Sequence, residues 1–322
     1  MFDIITIGSA TRDVFVVSNQ FYQIKSKKIP SGVGECVALG SKIDVDQLVL
    51  TTGGGATNAA ATFASLGFQT AAITRIGNDA TGKDVVEDLS RFGVSTLFVR
   101  MVKNGQTGFS ILLTMPDGER TVLTFRGVSS TFTQNDIYWA GFQQTKWIYL
   151  TSLGGNMSLC KKIIEQAKKQ EVRIAWNPGK KELEGGIKVF ESLLPLIDVL
   201  MMNKEEAQLL TNKKSIQDMF HLLHNDGLIR LITDGTNGSY VWQDQWMAHA
   251  STTGAKAISR TGAGDAFGSG FVSGFMKTEN IKQAMAIGTL NAEAVIQKHG
   301  AKNGLLKKWP SRLALVKINI TK

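Results

Sequence analysis

The residue best suited to chemistry is Asp265, which closes the run Thr261-Gly-Ala-Gly-Asp265 at the start of an apolar helical pattern. Successive main-chain N–H groups at a helix N-terminus form an anion site, and here they belong to Gly262, Ala263 and Gly264. A carboxylate in that position is a poor phosphate ligand because it is negative. It is a suitable general base for a hydroxyl that attacks phosphorus. Considered alone, the run is also compatible with a plain helix start that has an acidic first turn.

Two glycine-rich turns resemble nucleotide motifs without satisfying them. The run Gly77–Asp84 nearly matches a P-loop, but Asp84 stands where a hydroxyl for Mg²⁺ is required. The run Gly262–Gly268 superficially matches a dinucleotide-binding turn, but Phe267 stands where close helix–strand packing requires Gly or Ala. We therefore expect neither a P-loop nor a Rossmann turn.

A third glycine run, Gly53-Gly54-Gly55, opens an Ala-rich helix that carries Asn58 in its first turn. Glycines allow the backbone to approach a ligand closely, and Asn58 can donate to and accept from hydroxyl groups. A flexible loop followed by an ordinary Asn is the alternative interpretation. The pattern leaves a substrate-binding role and a structural role equally open.

Two further sites follow strands later in the chain. Asn203 and Glu206 have the spacing of a capping box, or they hold Mg²⁺ through water near phosphates. The segment from Thr233 to Gly238, which includes Gly235, forms a turn into a hairpin, or it acts as a second glycine loop along a nucleotide.

The elements that must position these residues alternate between strand and helix, most regularly after Trp147. This alternation predicts an α/β fold with a doubly wound, mostly parallel sheet and helices on both faces. Two helix-poor stretches, at about 13–50 and 95–127, predict a small β-sheet inserted in this core. Hairpin chemistry is expected around the turn Pro116-Asp117-Gly118. Because the small sheet is inserted in this core, we expect a single domain over 1–322.

Composition excludes several classes of protein. The 322 residues are 43% hydrophobic and 20% charged, as in a globular protein. No apolar stretch is long enough for a membrane helix, and the start has no basic signal-peptide region. The two cysteines lie far apart, which fits a reducing cytoplasm. The net charge of +9 comes from scattered basic pairs, so it indicates a basic surface or an anionic small substrate rather than nucleic acid.

The order of the motifs resembles that of the ribokinase-like (PfkB-type) carbohydrate kinase family, from Gly8 to about Gly304. The motifs are Gly53–Gly82, Asp117-Gly-Glu-Arg-Thr121, Asn203-x-x-Glu206, Thr233-x-Gly235-x-x-Gly238 and Thr261–Asp265. The resemblance implies a ribokinase-like core with a β-sheet lid. It also implies ATP-dependent phosphorylation of a sugar or nucleoside hydroxyl, with ATP and Mg²⁺ as cofactors.

The resemblance also implies a role for each matching residue. Asp265 is the base, and the Gly262–Gly264 amides hold the charge on the transferred phosphoryl group. The substrate hydroxyls are bound by Asp13, Gly54, Gly55 and Asn58. The nucleotide is bound by Thr233, Gly235, Gly238 and Asn291. Asn203 and Glu206 form the phosphate and Mg²⁺ element.

Three departures from the family pattern matter. Ser259 and Arg260 replace the usual residues before Thr261, which puts a monovalent-cation loop and K⁺ activation in doubt. Thr151 stands where ribose-specific members have Glu, which weakens a ribose assignment. The segment Phe21–Leu50 is longer than expected for the first lid region, so the lid or an oligomer contact is expected to be unusual.

A kinase that phosphorylates a primary hydroxyl of a small sugar is therefore the leading hypothesis. A nucleoside kinase is the first alternative, with an aromatic base pocket from Phe15, Phe109 and Phe125. A 6-phosphosugar kinase would need lid cations, for which the candidates are Arg12, Arg100 and Arg126. A sugar-sensing binding protein is the non-enzyme alternative. An exposed lid edge would allow a homodimer.

Overall fold

The computed structural model describes residues 1–29, 32–115, 119–311 and 313–321, and its strands and helices alternate most regularly from β10 to β13. The strands are β1 (Phe2–Ile7), β2 (Thr11–Val17), β3 (Tyr22–Lys25), β4 (Val33–Cys36), β5 (Gln47–Gly53), β6 (Thr70–Gly77), β7 (Val99–Val102), β8 (Gly108–Thr114), β9 (Arg120–Phe125), β10 (Thr145–Leu150), β11 (Arg173–Trp176), β12 (Val199–Asn203), β13 (Ile229–Thr233), β14 (Ser239–Gln243), β15 (Trp246–Ala250) and β16 (Ile318–Thr321). The α-helices are α1 (Gly55–Ser65), α2 (Ala80–Arg91), α3 (Met157–Lys169), α4 (Lys180–Leu183), α5 (Ile187–Phe190), α6 (Lys204–Thr211), α7 (Ile216–Leu222), α8 (Ala263–Thr278) and α9 (Ile281–Ile296).

The large sheet has the strand order β16-β15-β14-β13-β12-β11-β10-β1-β6-β7. The strands from β13 to β7 pair in parallel, whereas β13 to β16 pair antiparallel. Two apolar cores lie on opposite faces: α3, α6 and α7 cover one, and α1, α8 and α9 cover the other. This confirms the predicted doubly wound, mostly parallel fold.

A second sheet of four strands, which we call the lid, has the order β5-β2-β8-β9. Its strands come from the two helix-poor stretches. Other parts of these stretches lie elsewhere, because β7 pairs with β6 in the large sheet and β3 with β4 forms a separate hairpin. The predicted turn Pro116–Gly118 lies outside the described residues, but its flanks pair antiparallel, with Thr114 opposite Arg120.

The two faces of the lid differ because alternate side chains point to opposite sides of a strand. Paired positions put Asp13, Ser110 and Thr124 on one face, which we call the inner face because Asp13 and Ser110 are buried. The outer face carries apolar side chains that stay half-buried or exposed: Val14, Leu48, Leu50, Phe109, Ile111, Leu123 and Phe125. The lid therefore has an unpartnered apolar surface among the described residues.

The segment between α4 and β12 does not form one continuous helix. The chain forms α5 and then a 3-10 turn at Leu194–Leu196 that contains Pro195. Proline has no N–H and cannot continue an α-helical hydrogen-bond ladder, so the segment ends in a tighter turn.

Helices α8 and α9 pack closely because glycines stand where they cross. A Cβ on Gly274 would lie 2.7 Å from Ala284 Cα, and one on Gly288 would lie 2.9 Å from the Phe267 carbonyl oxygen. This contact fixes the orientation of α8, and with it the helix N-terminus that carries Asp265. Within the described residues, no helix combines the length and apolarity needed to span a bilayer.

Candidate active site

The carboxyl ends of the parallel strands meet the N-terminus of α8 at one edge of the large sheet, the usual ligand edge of open α/β sheets. Asn203 at the end of β12 lies opposite Thr233 at the end of β13. A cavity of about 220 Å³ lies there, and it is lined by Asn177, Met201, Met202, Asn203, Glu206, Leu231, Thr233, Gly262, Gly264, Asp265, Phe267 and Gly268. Three motifs that are distant in sequence therefore share one cleft.

Asp265 lies half-buried in the first turn of α8 and accepts a hydrogen bond from another helix. Asn58 Nδ2, on α1, donates a hydrogen bond of 2.8 Å to its Oδ2 atom. Asn58 is only 5% exposed, and its own Oδ1 is buried without a hydrogen-bond partner among the described residues. Buried polar atoms are usually paired, so Asn58 Oδ1 is an acceptor available to a ligand hydroxyl.

Burial raises the pKa of Asp265, the Asn58 hydrogen bond lowers it, and the charge of Asp13 raises it further. A carboxylate with a raised pKa is a stronger base, provided that it remains ionised at the working pH. Burial and the charge of Asp265 together raise the pKa of Tyr149 well above its usual value, so this phenol stays neutral beneath the site.

The turn before α8 has the backbone conformation that its glycines permit. Gly262 has φ +80°, and a Cβ there would lie 2.7 Å from Ala301 Cα. The Ala263 N–H already donates to the Arg260 carbonyl oxygen at 3.3 Å. Gly262 and Gly264 are therefore the members of the predicted amide set that border the cavity, and Ala263 is not.

The first glycine run lies beside the lid base. Gly54 has φ +100°, and a Cβ there would collide with the backbone of Ser9 and Ala10. Gly55 packs over Thr151, whose hydroxyl donates to the Ile7 carbonyl oxygen at 3.2 Å. Thr151 is therefore buried below the glycine run and engaged with backbone.

Asp13 lies on the inner face of the lid, where Thr11 Oγ1 donates a hydrogen bond of 3.0 Å to its Oδ1. Burial raises the pKa of Asp13, and hydrogen bonds from Thr11 and Ser110 oppose that effect. The charge of Asp13 acts on Asp265, so the two carboxylates lie within electrostatic range of each other.

Asn203 and Glu206 form the capping box that their spacing predicts. Glu206 N–H donates to Asn203 Oδ1 at 2.8 Å, and Asn203 N–H donates to Glu206 Oε2 at 2.9 Å. Both residues also line the cavity, so the capping role does not exclude contact with a ligand. Burial raises the pKa of Glu206, and the charge of Asp265 adds to this effect.

The described residues contain no group of three or more His, Cys, Asp and Glu side chains arranged around a metal. Mg²⁺ bound to nucleotide phosphates needs few protein ligands because water and phosphate oxygens complete its shell. The two carboxylates in the cavity, Glu206 and Asp265, are hard oxygen donors of the kind that Mg²⁺ prefers. The donor set therefore fits a phosphate-bound Mg²⁺.

Three predicted nucleotide residues lie apart from the cavity lining. Gly235 and Gly238 form the turn after β13, where Gly238 has φ +90° and packs on the Ala250 carbonyl. Asn291 is fully buried between α8 and α9: its Nδ2 donates to the Ala266 carbonyl oxygen at 2.8 Å, and its Oδ1 accepts from Leu306 N–H at 3.0 Å. The placement of Asn291 supports a packing role instead of nucleotide contact.

The aromatic residues considered for a nucleoside pocket do not lie together, and neither do the arginines considered for a phosphosugar. Phe109 and Phe125 pair on the outer face of the lid, opposite to Phe15, so the three cannot line one base pocket. Arg12 pairs with Asp84 at 3.0 Å on the face away from Asp13, and Arg100 lies near Asp136 at the edge strand β7. Arg126 begins a 3-10 turn after β9. Strand alternation and chain topology separate these residues.

Several site residues were not predicted from the sequence. Asn177 lines the cavity and donates to the Met201 carbonyl oxygen at 2.9 Å. Its position directly after β11 was an available signal, because polar residues at the carboxyl ends of parallel strands point to the ligand edge. Tyr149 carries no such signal, since only packing brings it within electrostatic range of Asp265. Arg260, noted above as a departure from the family pattern, forms an exposed ion pair of 3.7 Å with Glu119, the residue before β9.

Comparison with known proteins finds a family match over most of the chain. Residues 3–308 match the pfkB family carbohydrate kinase domain. The chain is 27% identical over 271 residues to ribokinase of Staphylococcus aureus (strain COL), covering 81% of this chain and 88% of that one.

Solved structures share the fold. Adenosine kinase from Sinorhizobium meliloti superposes with a TM-score of 0.78 at 20% identity, covering 95% of this chain and 97% of that one. Ribokinase from Arabidopsis thaliana, complexed with ribose and ATP, gives 0.75 at 21% identity and covers 94% and 95% of the two chains.

Proposed function

The chain belongs to the pfkB family of carbohydrate kinases, and from this premise we propose that it transfers the γ-phosphoryl group of ATP to a primary hydroxyl of a small sugar. The observation that carries this proposal is the juxtaposition at α8. A carboxylate, the glycine amides beside it and the Asn203–Glu206 element border one cleft at the ligand edge of the sheet. Phosphoryl transfer depends mainly on positioning and charge stabilisation, which such an arrangement supplies.

In this proposal Asp265 accepts the proton of the attacking hydroxyl. The raised pKa of Asp265 favours proton transfer to it. The hydrogen bond from Asn58 holds Oδ2, and Oδ1 accepts the proton of the substrate hydroxyl. Asn58 Oδ1, Asp13 and the backbone of Gly54 and Gly55 bind the sugar hydroxyls. These hydrogen bonds to the sugar hydroxyls hold the oxygen that receives the phosphoryl group close to Asp265.

The phosphate side of the cleft is assigned to the turn before α8 and to the end of β12. The Gly262 and Gly264 amides and the α8 dipole stabilise negative charge on the transferred group. Asn203 and Thr233 lie beside the phosphates, and Glu206 holds Mg²⁺ through water. When bound, Mg²⁺ neutralises phosphate charge. Gly235 and Gly238 shape the turn along the nucleotide, with no direct contact assigned to Asn291.

Two wider proposals accompany this function. The enzyme works in the cytoplasm, where ATP is available and thiols stay reduced; Cys36 and Cys160 are both free. It forms a homodimer through the outer face of the lid, because an apolar sheet face of this kind is stabilised by a second copy packed against it. Leu48, Leu50, Leu123 and Phe125 are each more than half exposed on that face.

The proposal is tested with a panel of sugars, phosphosugars and nucleosides incubated with Mg·ATP, with and without K⁺. ADP release is measured against a no-acceptor control. We expect turnover with an unphosphorylated sugar and loss of that turnover in Asp265→Asn. Turnover only with a nucleoside or a phosphosugar would replace the sugar assignment, and turnover equal to wild type in Asp265→Asn would remove the proposed base.

A further inference from the structure

The cavity assigned to the phosphates has acidic side chains in its lining and no basic ones. Glu206 and Asp265 line it, and none of its described lining residues is a lysine, an arginine or a histidine. The phosphate chain of a nucleotide is itself strongly negative, so these two carboxylates repel it. Mg²⁺ and the backbone amides before α8 offset part of this repulsion. A further positive charge beside the cavity would therefore strengthen nucleotide binding.

Lys204 places a positive charge beside this cavity. It is the first residue of α6 and directly follows Asn203, which lines the cavity. Its Nζ lies 2.8 Å from Oδ2 of Asp234, the residue directly after Thr233. Asn203 and Thr233 both line the cavity and lie opposite each other at the ends of β12 and β13. Because neighbouring Cα atoms are about 3.8 Å apart, both partners of the ion pair start next to the cavity lining.

The ammonium of Lys204 can leave Asp234 at little cost. The Lys204 side chain is 36% exposed, and ion pairs of exposed lysines contribute little to stability because solvent screens the charges. Asp234 Oδ2 also accepts a hydrogen bond of 3.2 Å from Asn237 Nδ2, so the carboxylate keeps a partner when the ammonium moves. A nucleotide phosphate can therefore compete with Asp234 for this ammonium.

Two other cations near this edge of the sheet have different partners. Arg230, on β13, is buried and donates to the Phe220 carbonyl oxygen at 3.0 Å. Arg260, before the turn of α8, forms an exposed ion pair of 3.7 Å with Glu119. Of these three cations, Lys204 is the one that a short ion pair holds between two strand ends bordering the cavity.

We propose that Lys204 binds the phosphate chain of the nucleotide: Asp234 holds its ammonium beside the cavity in the free protein, and the ammonium turns to the phosphates when the nucleotide binds. This inference rests on the proposed function for the identity of the nucleotide, and it adds a cation to the phosphate side of the cleft. The affinity that Lys204 contributes should increase with the number of phosphates. A purely structural role for the ion pair would instead affect all nucleotides equally.

Calorimetry with AMP, ADP and the non-hydrolysable β,γ-imido analogue of ATP, each with Mg²⁺, measures this dependence. Lys204→Gln should weaken binding of the imido analogue about tenfold, of ADP about threefold and of AMP less than about twofold. Lys204→Arg keeps the charge and should stay within about threefold of wild type for the imido analogue. Lys213→Gln removes the same charge just after the end of α6, outside the cavity lining, and should bind like wild type. An equal loss in Lys213→Gln would assign the effect to net charge and overturn the proposal.

Asp234→Asn distinguishes contact with the phosphates from positioning of the turn after β13. This variant breaks the ion pair, keeps the ammonium and removes a negative charge, so the imido analogue should bind about threefold tighter. Weaker binding in Asp234→Asn, or equal losses for all three nucleotides in Lys204→Gln, would overturn the proposal. Thermal unfolding checks that each variant is folded, and Asp234→Asn still decides the question if Lys204→Gln is unstable.

The same measurements separate this inference from the proposed function. If the three nucleotides bind wild type and Lys204→Gln with equal affinity, the role of Lys204 fails and the proposed function stands. If none of them binds to wild type, the proposed function and this inference fail together.

Discussion

Asn58 and Asp265, 207 positions apart in the chain, share a hydrogen bond of 2.8 Å between Asn58 Nδ2 and Asp265 Oδ2. This bond joins α1, which follows the first glycine run, to the N-terminus of α8. It holds one carboxylate oxygen of a residue that lines the cleft. The proposed sugar side and the proposed phosphate side of the cleft are therefore joined at Asp265.

Asp265→Asn is expected to lower kcat by about 10²–10⁴, because general-base assistance is lost. ATP should still bind, because the asparagine side chain has nearly the same volume as the aspartate. ADP release measures turnover, and calorimetry measures ATP binding. Loss of ATP binding together with turnover would indicate a nucleotide-binding role in place of the base.

The same variant should be more stable than wild type at neutral pH. The folded-state pKa of Asp265 is raised, so the folded protein binds this proton more tightly than the unfolded chain does. Stability therefore falls as pH rises from the unfolded pKa through the folded one, and the neutral amide avoids that loss. Thermal unfolding at pH 5 and pH 8 measures this, with the larger gain expected at pH 8. A variant that is less stable at pH 8 would contradict the expected sign.

Asn58→Leu should move the acid limb of kcat/KM to higher pH. The Asn58 amide lowers the pKa of Asp265, so its removal raises that pKa, and the base is protonated at a higher pH. We also expect KM for the sugar to rise, because Asn58 Oδ1 is lost. Asn156→Leu, at the N-cap of α3 and outside the cavity lining, is the control. An unshifted acid limb would show that Asn58 does not tune the base.

Gly262→Ala should reduce stability, whereas Gly264→Ala should reduce turnover. Alanine at Gly262 adopts a strained φ of +80° and overlaps Ala301, so we expect a loss of stability of about 2 kcal/mol. A Cβ at Gly264 meets no protein atom within 4 Å, so this variant should keep its Tm but lose turnover as the methyl group enters the phosphate position. Full activity in Gly264→Ala would remove this amide from the proposed anion site.

Glu206→Gln should raise the Mg²⁺ concentration needed for half-maximal turnover by about tenfold, with Glu205→Gln as a matched control on the same turn. Glu206 lines the cavity, and Glu205 is exposed outside it. Because Gln still accepts the capping hydrogen bond, the helix start should survive. Equal Mg²⁺ dependence in the two variants would assign Glu206 to capping alone.

Leu123→Glu with Phe125→Glu should halve the sedimenting mass in analytical ultracentrifugation if the outer lid face joins two copies. Both side chains are 52% exposed on that face. The control is Leu97→Glu, which changes an exposed side chain outside the lid. A wild-type protein that sediments as a monomer would contradict the dimer directly.

The sequence by itself determined the fold class and the identity of the motifs. Alternating strands and helices dictate a parallel sheet, and glycines mark the positions where the backbone needs a positive φ or a close approach, as at Gly54 and Gly262. The order of these motifs also identified the family. These features are local, since periodicity and backbone conformation depend on neighbouring residues.

Only the tertiary structure decided which side chains face the cleft. Strand alternation separates Phe109 and Phe125 from Phe15, and packing of α8 on α9 encloses Asn291. Lys302 meets Asp88 on α2 and Thr52 on β5 only because a loop late in the chain packs between these elements. Burial and electrostatic coupling depend on distances in space between residues hundreds of positions apart, and sequence spacing does not contain those distances.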